Sequence, residues 1–162
     1  MNYLKHNSII RGNLRLNEDP LDVQGGDGID LSYPLLPAGN AKMTIAEATV
    51  SPNKKQTGNN FVLKWKNAEE VTSTKGDVLP PGRISITSYI GLTVTDKRTA
   101  KQIQADVERL RRGAGLPAMK LSEIRDNPSI LAGKTMVVKV GVRQETDEYP
   151  ESNEIKSIIL EG

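Results

Sequence analysis

The stretch FVLKWK, residues 61–66, alternates without a break, and its reading decides the fold. Successive side chains of an extended strand point to opposite faces. Phe61, Leu63 and Trp65 therefore share one face, and Val62, Lys64 and Lys66 the other. The same period returns in RISITSYIGL, residues 83–92. There Ile84, Ile86 and Ile90 face inward, while Arg83, Ser85, Thr87 and Tyr89 face out. Pro80, Pro81 and Gly82 end the preceding connection abruptly. Two such strands side by side make a sheet with an apolar inner face and an outer face of cations, hydroxyls and one aromatic ring.

The flanking text continues the pattern. AKMTIAEATV, 41–50, reads as a strand with Met43 and Ile45 on one face. The polar SPNKKQTGNN, 51–60, is a hairpin-type loop carrying Lys54 and Lys55 beside Gly58. After the third strand, Ile103, Val107 and Leu110 recur at helical spacing, with Thr95 or Thr99 as the cap. Arg111 and Arg112 suit a helix C-terminus electrostatically, and Gly113 reads as the residue just past its end. KLSEIRDNPSILAG fits one short helical turn. TMVVKVGVRQE, 135–145, is the clearest strand, with Met136, Val138, Val140 and Val142 inward and Lys139 and Arg143 outward. An acidic loop, ETDEYPES, leads into a last strand, NEIKSIIL, 153–160.

Residues 1–37 read as an N-terminal arm ahead of a domain over 38–162. Ile9, Ile10, Leu14 and Leu16 fit a short strand or docking segment, and the rest is rich in Gly, Pro and Asp. GGDGID, 25–30, matches the start of a calcium-binding repeat, but one copy lacks the stacked neighbours that complete coordination, so a flexible turn is expected.

At 162 residues the chain has room for one domain and a real core. It contains no cysteine, which excludes disulfides and thiolate metal sites and is compatible with a reducing cytoplasm. No apolar run approaches the ~20 residues that cross a bilayer, and MNYLKHNSIIRGNLRLNEDP lacks the apolar stretch of a signal peptide, so a soluble, cytoplasmic protein is expected. The net charge is only +2, yet residues 41–112 hold 13 basic against 7 acidic side chains, and both flanking sections are net acidic.

Catalysis has little to stand on. His6 is the only histidine and lies in the arm. GKT, 133–135, resembles the end of a phosphate-binding loop, but Pro128 stands where that motif needs glycine. Acidic residues are scattered without the pairing of a two-metal site. The expectation is a non-enzymatic protein with no cofactor and no metal.

Three strands, a helix and two more strands is the order of the five-stranded OB-type β-barrel, a mainly β fold with one helix between strands 3 and 4. The details carry a resemblance. TGNN precedes FVLKWK, PPGRISITSYI forms the third strand, and KQIQADVERLRRGAG, LAGKTMVVKVGVRQE and NEIKSI follow. Over residues 38–160 the chain resembles a family of small bacteriophage proteins, long catalogued as a domain of unknown function, some of which bind single-stranded DNA. The resemblance implies a barrel that coats displaced strands during phage DNA replication or recombination in the host cytoplasm, with proteins of those processes as partners. One departure is the strand-like ending SIILEG, where replicative binding proteins often carry an acidic recruiting tail.

Binding a single strand without sequence preference needs phosphate neutralisation and flat faces for bases. The candidate cations are Lys54, Lys55, Lys64, Lys66 and Arg83, with Lys139 and Arg143 at the edge, and Tyr89 would stack. Trp65 is in phase with the core residues Phe61 and Leu63, but a bulge would turn it outward as a stacking platform. Tyr33 and Tyr149 have no assigned role. RNA remains open beside DNA. The competing class is a structural or adaptor protein, such as a virion component, that uses the barrel to bind proteins and the arm to self-associate.

Overall fold

The computed structural model describes residues 10–11, 14–15, 19–26, 28–29 and 33–160. The chain divides into two compact units, Met1–Ser32 and Tyr33–Gly162. In the first, Ile10–Arg11 pairs antiparallel with Leu14–Arg15, a minimal two-residue ladder. Ile9, Leu16 and His6 lie outside the described residues, as do Asp27 and Asp30 of GGDGID.

The second unit is mainly β. Its five long strands are β1 (Gly39–Pro52), β2 (Asn59–Asn67), β3 (Ser85–Gly91), β4 (Thr135–Arg143) and β5 (Ser152–Ile158). They form one antiparallel sheet in the order β3-β2-β1-β4-β5. The edge strands β3 and β5 approach within 8 Å at Cα, but no ladder joins them among the described residues. The hydrogen bonding therefore stops short of the closed barrel that the strand order predicts.

Strand β2 sits between two partners and supplies Phe61, Leu63 and Trp65 to the core. Met43 and Ile45 of β1, Ile84 and Ile86 beside and within β3, and Met136, Val138 and Val140 of β4 pack against them. In β1 the inward set changes phase, from Met43 and Ile45 to Ala48. A register shift between Ile45 and Glu47 causes it, because one extra residue in a strand reverses every side chain beyond it.

Helix α1 (Ala100–Gly113) lies between β3 and β4 and buries Val107 and Leu110. Thr99 is its cap: its hydroxyl accepts from the Gln102 backbone N–H at 3.2 Å, and the Gln102 side chain accepts from the Thr99 N–H at 2.8 Å. The helix runs through Gly113, and Gly115 is the residue that turns left-handed, at φ +70°. Gly113 is required for a different reason. A Cβ there would meet Met136 Sδ at 2.8 Å and Ile158 Cγ2 at 2.9 Å, so only glycine lets the helix end lie on the sheet. The short helix α2 (Leu121–Asp126) and a 3₁₀ turn at Pro128–Leu131 bury Ile124 and Leu131 before β4 begins. Among the described residues no helix is long and apolar enough to cross a membrane.

Two side-chain amides stitch what the ladders leave loose. The connection from β2 to β3 carries its own small ladder, Val71–Thr72 with Val78–Leu79. Asn67, only 2% exposed, closes that excursion. Its Nδ2 donates to the Glu69 and Pro80 carbonyls at 2.7 and 2.9 Å, and its Oδ1 accepts from the Ile84 N–H at 2.8 Å. Asn153 of β5 does likewise for Leu36, accepting from its N–H at 2.8 Å and donating to its carbonyl at 2.9 Å. Leu36, assigned to the arm by sequence, is 3% exposed and belongs to this core.

The end of α1 is a charge cluster. Glu108 accepts from Arg111 at 2.8 and 2.6 Å and from Arg112 at 2.7 Å, and Arg111 also donates to the Leu116 carbonyl at 2.8 Å. Arg111 is thereby engaged in ending the helix, while Arg112 pairs with Glu108 one turn back. The hydrogen bonds from Arg111 and Arg112 hold the Glu108 carboxyl down to about 2 from an ordinary 4.5.

Two outcomes are expected. Asn67→Ala strips the partner from the buried Ile84 N–H and from the part-buried carbonyls of Glu69 and Pro80. An unpaired buried group costs on the order of 1–3 kcal/mol, and the carbonyls cost less where water replaces the amide. Denaturant unfolding should show a loss of roughly 2–4 kcal/mol, and a loss below the noise of the fit would mean the excursion is held otherwise. A folded pKa below the unfolded one stabilises above the ordinary value and is lost as pH falls through the folded value. Wild-type stability should therefore decline between pH 4.5 and about 2 more steeply than that of Glu108→Gln. Parallel acid-unfolding curves for the two proteins would contradict this.

Candidate nucleic-acid interface

The outward positions of β2 and β3 meet in register. Lys66 stands opposite Ser85, Lys64 opposite Thr87 and Val62 opposite Tyr89. Side chains directly opposite one another on adjacent strands have Cβ atoms about 5 Å apart. The result is a stripe along β3 from Arg83 to Tyr89, about 20 Å at roughly 3.3 Å per residue. Arg83 is exposed at one end, and the Asn67 amide fixes its neighbour Ile84. Tyr89, 65% exposed, stands towards the other end.

The loop from β1 to β2 continues the stripe beyond Tyr89, since Asn60 of β2 faces Gly91. It presents Lys54 and Lys55, both exposed. Asn53 organises it, accepting from the Thr57 N–H at 2.9 Å, while the Asn53 N–H donates to the Gly58 carbonyl at 2.9 Å. Gln56 takes a left-handed φ of +57° within this turn. A Cβ on Gly58 would collide with the Thr93 side chain, whose hydroxyl accepts from the Asn59 N–H at 3.0 Å. Glycine is thus the residue that lets the loop close over the end of β3.

The charges on the stripe are unequal. Lys64 Nζ lies 3.6 Å from Glu47 Oε2 of β1, and both side chains are about half exposed, so solvent weakens this pair. Arg83, Lys66, Lys54 and Lys55 have no ion pair among the described residues. Lys66 is half-buried, with its stem between Thr44 and Ser85.

Three residues nominated by sequence lie elsewhere. Trp65 is 1% exposed, and its Nε1 donates to Ser88 Oγ at 2.8 Å, so it is core and offers no stacking face. The bulge that would have turned it outward falls in β1, opposite it, instead of in β2. Lys139 pairs with Asn40, four residues before Thr44 on β1 and past the last β2 pair, so it stands about 13 Å along the sheet from the level of Lys66. Arg143 is farther still and bridges to Glu154 at 3.5 Å. Neither borders the stripe. The neighbouring 144–151 loop is exposed and acidic, which disfavours phosphate there.

Sequence periodicity does not associate Arg109 and Lys156 with this region, yet both line a cleft between β3 and β5 together with Tyr89. For Arg109 the one signal was the i, i+3 and i, i+4 spacing of charges on α1, and for Lys156 of β5 there was none. Among the described residues no cluster of three or more His, Cys, Asp or Glu side chains is placed to hold a metal ion.

No protein-family model matches the chain, and no curated protein matches it, so the function has to be read from the face itself.

Proposed function

We propose that this chain binds single-stranded nucleic acid, DNA in the first instance, as a non-enzymatic coat protein of the kind phages use in replication or recombination. The observation that carries the reading is the β2–β3 stripe. Arg83, Lys66 and Lys64 alternate there with the hydroxyls of Ser85 and Thr87 and lead to the exposed ring of Tyr89. Cations attract the phosphates, hydroxyls donate hydrogen bonds to them, and an aromatic face stacks a base whatever its identity. The two lysines of the adjoining loop extend the cationic track. The order β3-β2-β1-β4-β5, with β3 and β5 drawn together, supports reading the sheet as an OB-type barrel whose last pairing is left open.

With one exposed ring on the stripe, phosphate contacts dominate, and affinity should depend steeply on salt. For single strands the logarithm of affinity falls with that of salt by about 0.7 per phosphate neutralised. Replacing Lys64, Lys66 and Arg83 with glutamate should abolish oligo-dT binding at moderate salt, and the three alanine replacements together should lower the slope by about 2. Fluorescence anisotropy with labelled oligo-dT, oligo-rU and a duplex control reads both effects. Tyr89→Ala should weaken binding by about 1–3 kcal/mol with little change in slope. Failure of the wild-type chain to bind any oligonucleotide at low salt would sink the reading and direct attention to protein partners. Normal binding by the glutamate triple variant would move the interface off this stripe.

A further inference from the structure

The seam between β3 and β5 holds a cleft of about 260 Å³ inside the folded unit. Its floor is apolar, built from Leu63, Trp65 and Ile90, with Ile155 and Ile158 on the opposite wall. Its rim is polar and carries Ser88, Ser157, Asp106, Arg109 and Lys156. The acid on this rim is already committed. Asp106 accepts from Arg98 at 2.6 Å and from Arg109 at 3.2 Å, and Arg98 also donates to the Gly91 carbonyl at 2.9 Å. Lys156 has no ion pair among the described residues, which leaves the rim net cationic.

Lys156 is also specially seated. The β4–β5 ladder runs Lys139 opposite Ser157 and then Val140 opposite Ile155, so Lys156 is the extra residue of a bulge. Bulges re-aim a side chain that a regular strand would send elsewhere. Its stem crosses Gly141, where any Cβ would collide with it. The lysine thus stands on a bulge beside the cleft that it lines, and the glycine of β4 beneath its stem leaves the side chain room to swing between β4 and the seam. On the floor, Ser88 accepts the Trp65 indole N–H and keeps its own hydroxyl proton for another acceptor.

We infer that this seam is a nucleotide subsite, with one base against the apolar floor and its phosphate on Arg109 and Lys156. The inference rests on the reading of the stripe as a single-strand track, and it adds a direction to that track. Tyr89 belongs both to the stripe and to the lining of the cleft, so a strand following the stripe turns at Tyr89, crosses β3 and delivers a base into the seam. The volume is below the ~300–1,000 Å³ of pockets for drug-sized ligands, which suits a single base and excludes a stacked pair. Net positive charge on the rim selects a phosphorylated unit over a nucleoside.

The chain carries its own reporter, since Trp65 is its only tryptophan. A ligand confined to the outer stripe leaves the buried indole undisturbed, whereas one in the cleft alters the Ser88 contact and changes the emission. The full-length chain is titrated with oligo-dT, with thymidine monophosphate and with thymidine, following tryptophan emission, while anisotropy follows the labelled oligonucleotide in parallel. Emission should change with oligo-dT and with the monophosphate at far higher concentration, and thymidine should act at least tenfold more weakly than the monophosphate. Arg109→Gln and Lys156→Gln are at exposed side chains and should retain the fold. Each should weaken the monophosphate response severalfold, and the pair at least tenfold. Oligonucleotide binding with unchanged emission, and no response to monophosphate, would overturn the subsite and leave the stripe standing. A monophosphate response that vanishes in the double variant, without any oligonucleotide binding, would uphold the subsite and overturn the strand-coating reading. An emission change indifferent to both substitutions would also overturn the subsite.

Discussion

The period of two along β2 is the constraint on which the rest of the structure depends. This strand alone is hydrogen-bonded along its length to β1 on one side and β3 on the other. Its inward positions, Phe61, Leu63, Trp65 and Asn67, are all fully buried. A slip of one residue would send Lys64 and Lys66 into the core and Trp65 into water. Burying an unpaired ammonium costs several kcal/mol, and exposing a large aromatic loses a few more. Register is therefore fixed from within, and the cationic face is the unavoidable reverse of the apolar one. Fold and candidate interface are two sides of the same alternation.

A single face is not yet a site, and the local devices around β2 make it one. The bulge in β1 lets a long strand serve β4 with one end and β2 with the other. The Asn67 amide draws a 17-residue detour back to Ile84 and so brings Arg83 to the end of the lysine stripe. Gly58 lets the lysine loop fold down against Thr93 at the opposite end. The capping box at Thr99 and the pairing of Arg98 with Gly91 and Asp106 set α1 beside the seam. Each is a small polar contact whose consequence is the position of a charge.

What was legible in the sequence follows from which forces are local. Strict alternation exposed β2, β3 and β4, and i, i+4 spacing with a threonine exposed α1, because burial acts on every residue of those elements. The phase change in β1 was hidden, since Ala46 and Glu47 look like ordinary strand residues and the bulge is set by the partner strand. Alternation also tells which side a residue faces without telling how far along the sheet it stands. That is why Lys139 and Arg143 joined the candidate site by sequence and stand away from it in space. Gly113 and Gly115 are equivalent as helix terminators on paper, and only the packing of Met136 and Ile158 distinguishes them. The seam was invisible for the same reason. It depends on β3 and β5 approaching without pairing, which no local pattern records.

The clasp of Asn153 on the Leu36 peptide joins positions 117 residues apart. Closing so long a loop carries its entropy cost before any contact repays it, and such closures are characteristic of slow-folding β topologies. The first strand, too, finds its β4 partner only after the helices have been made. The hairpin of β1 and β2 can form early, but the entry to β1 is secured only when the last strand arrives. On a ribosome, this unit would emerge half-clasped, and the clasp can close only once residue 153 has cleared the exit tunnel.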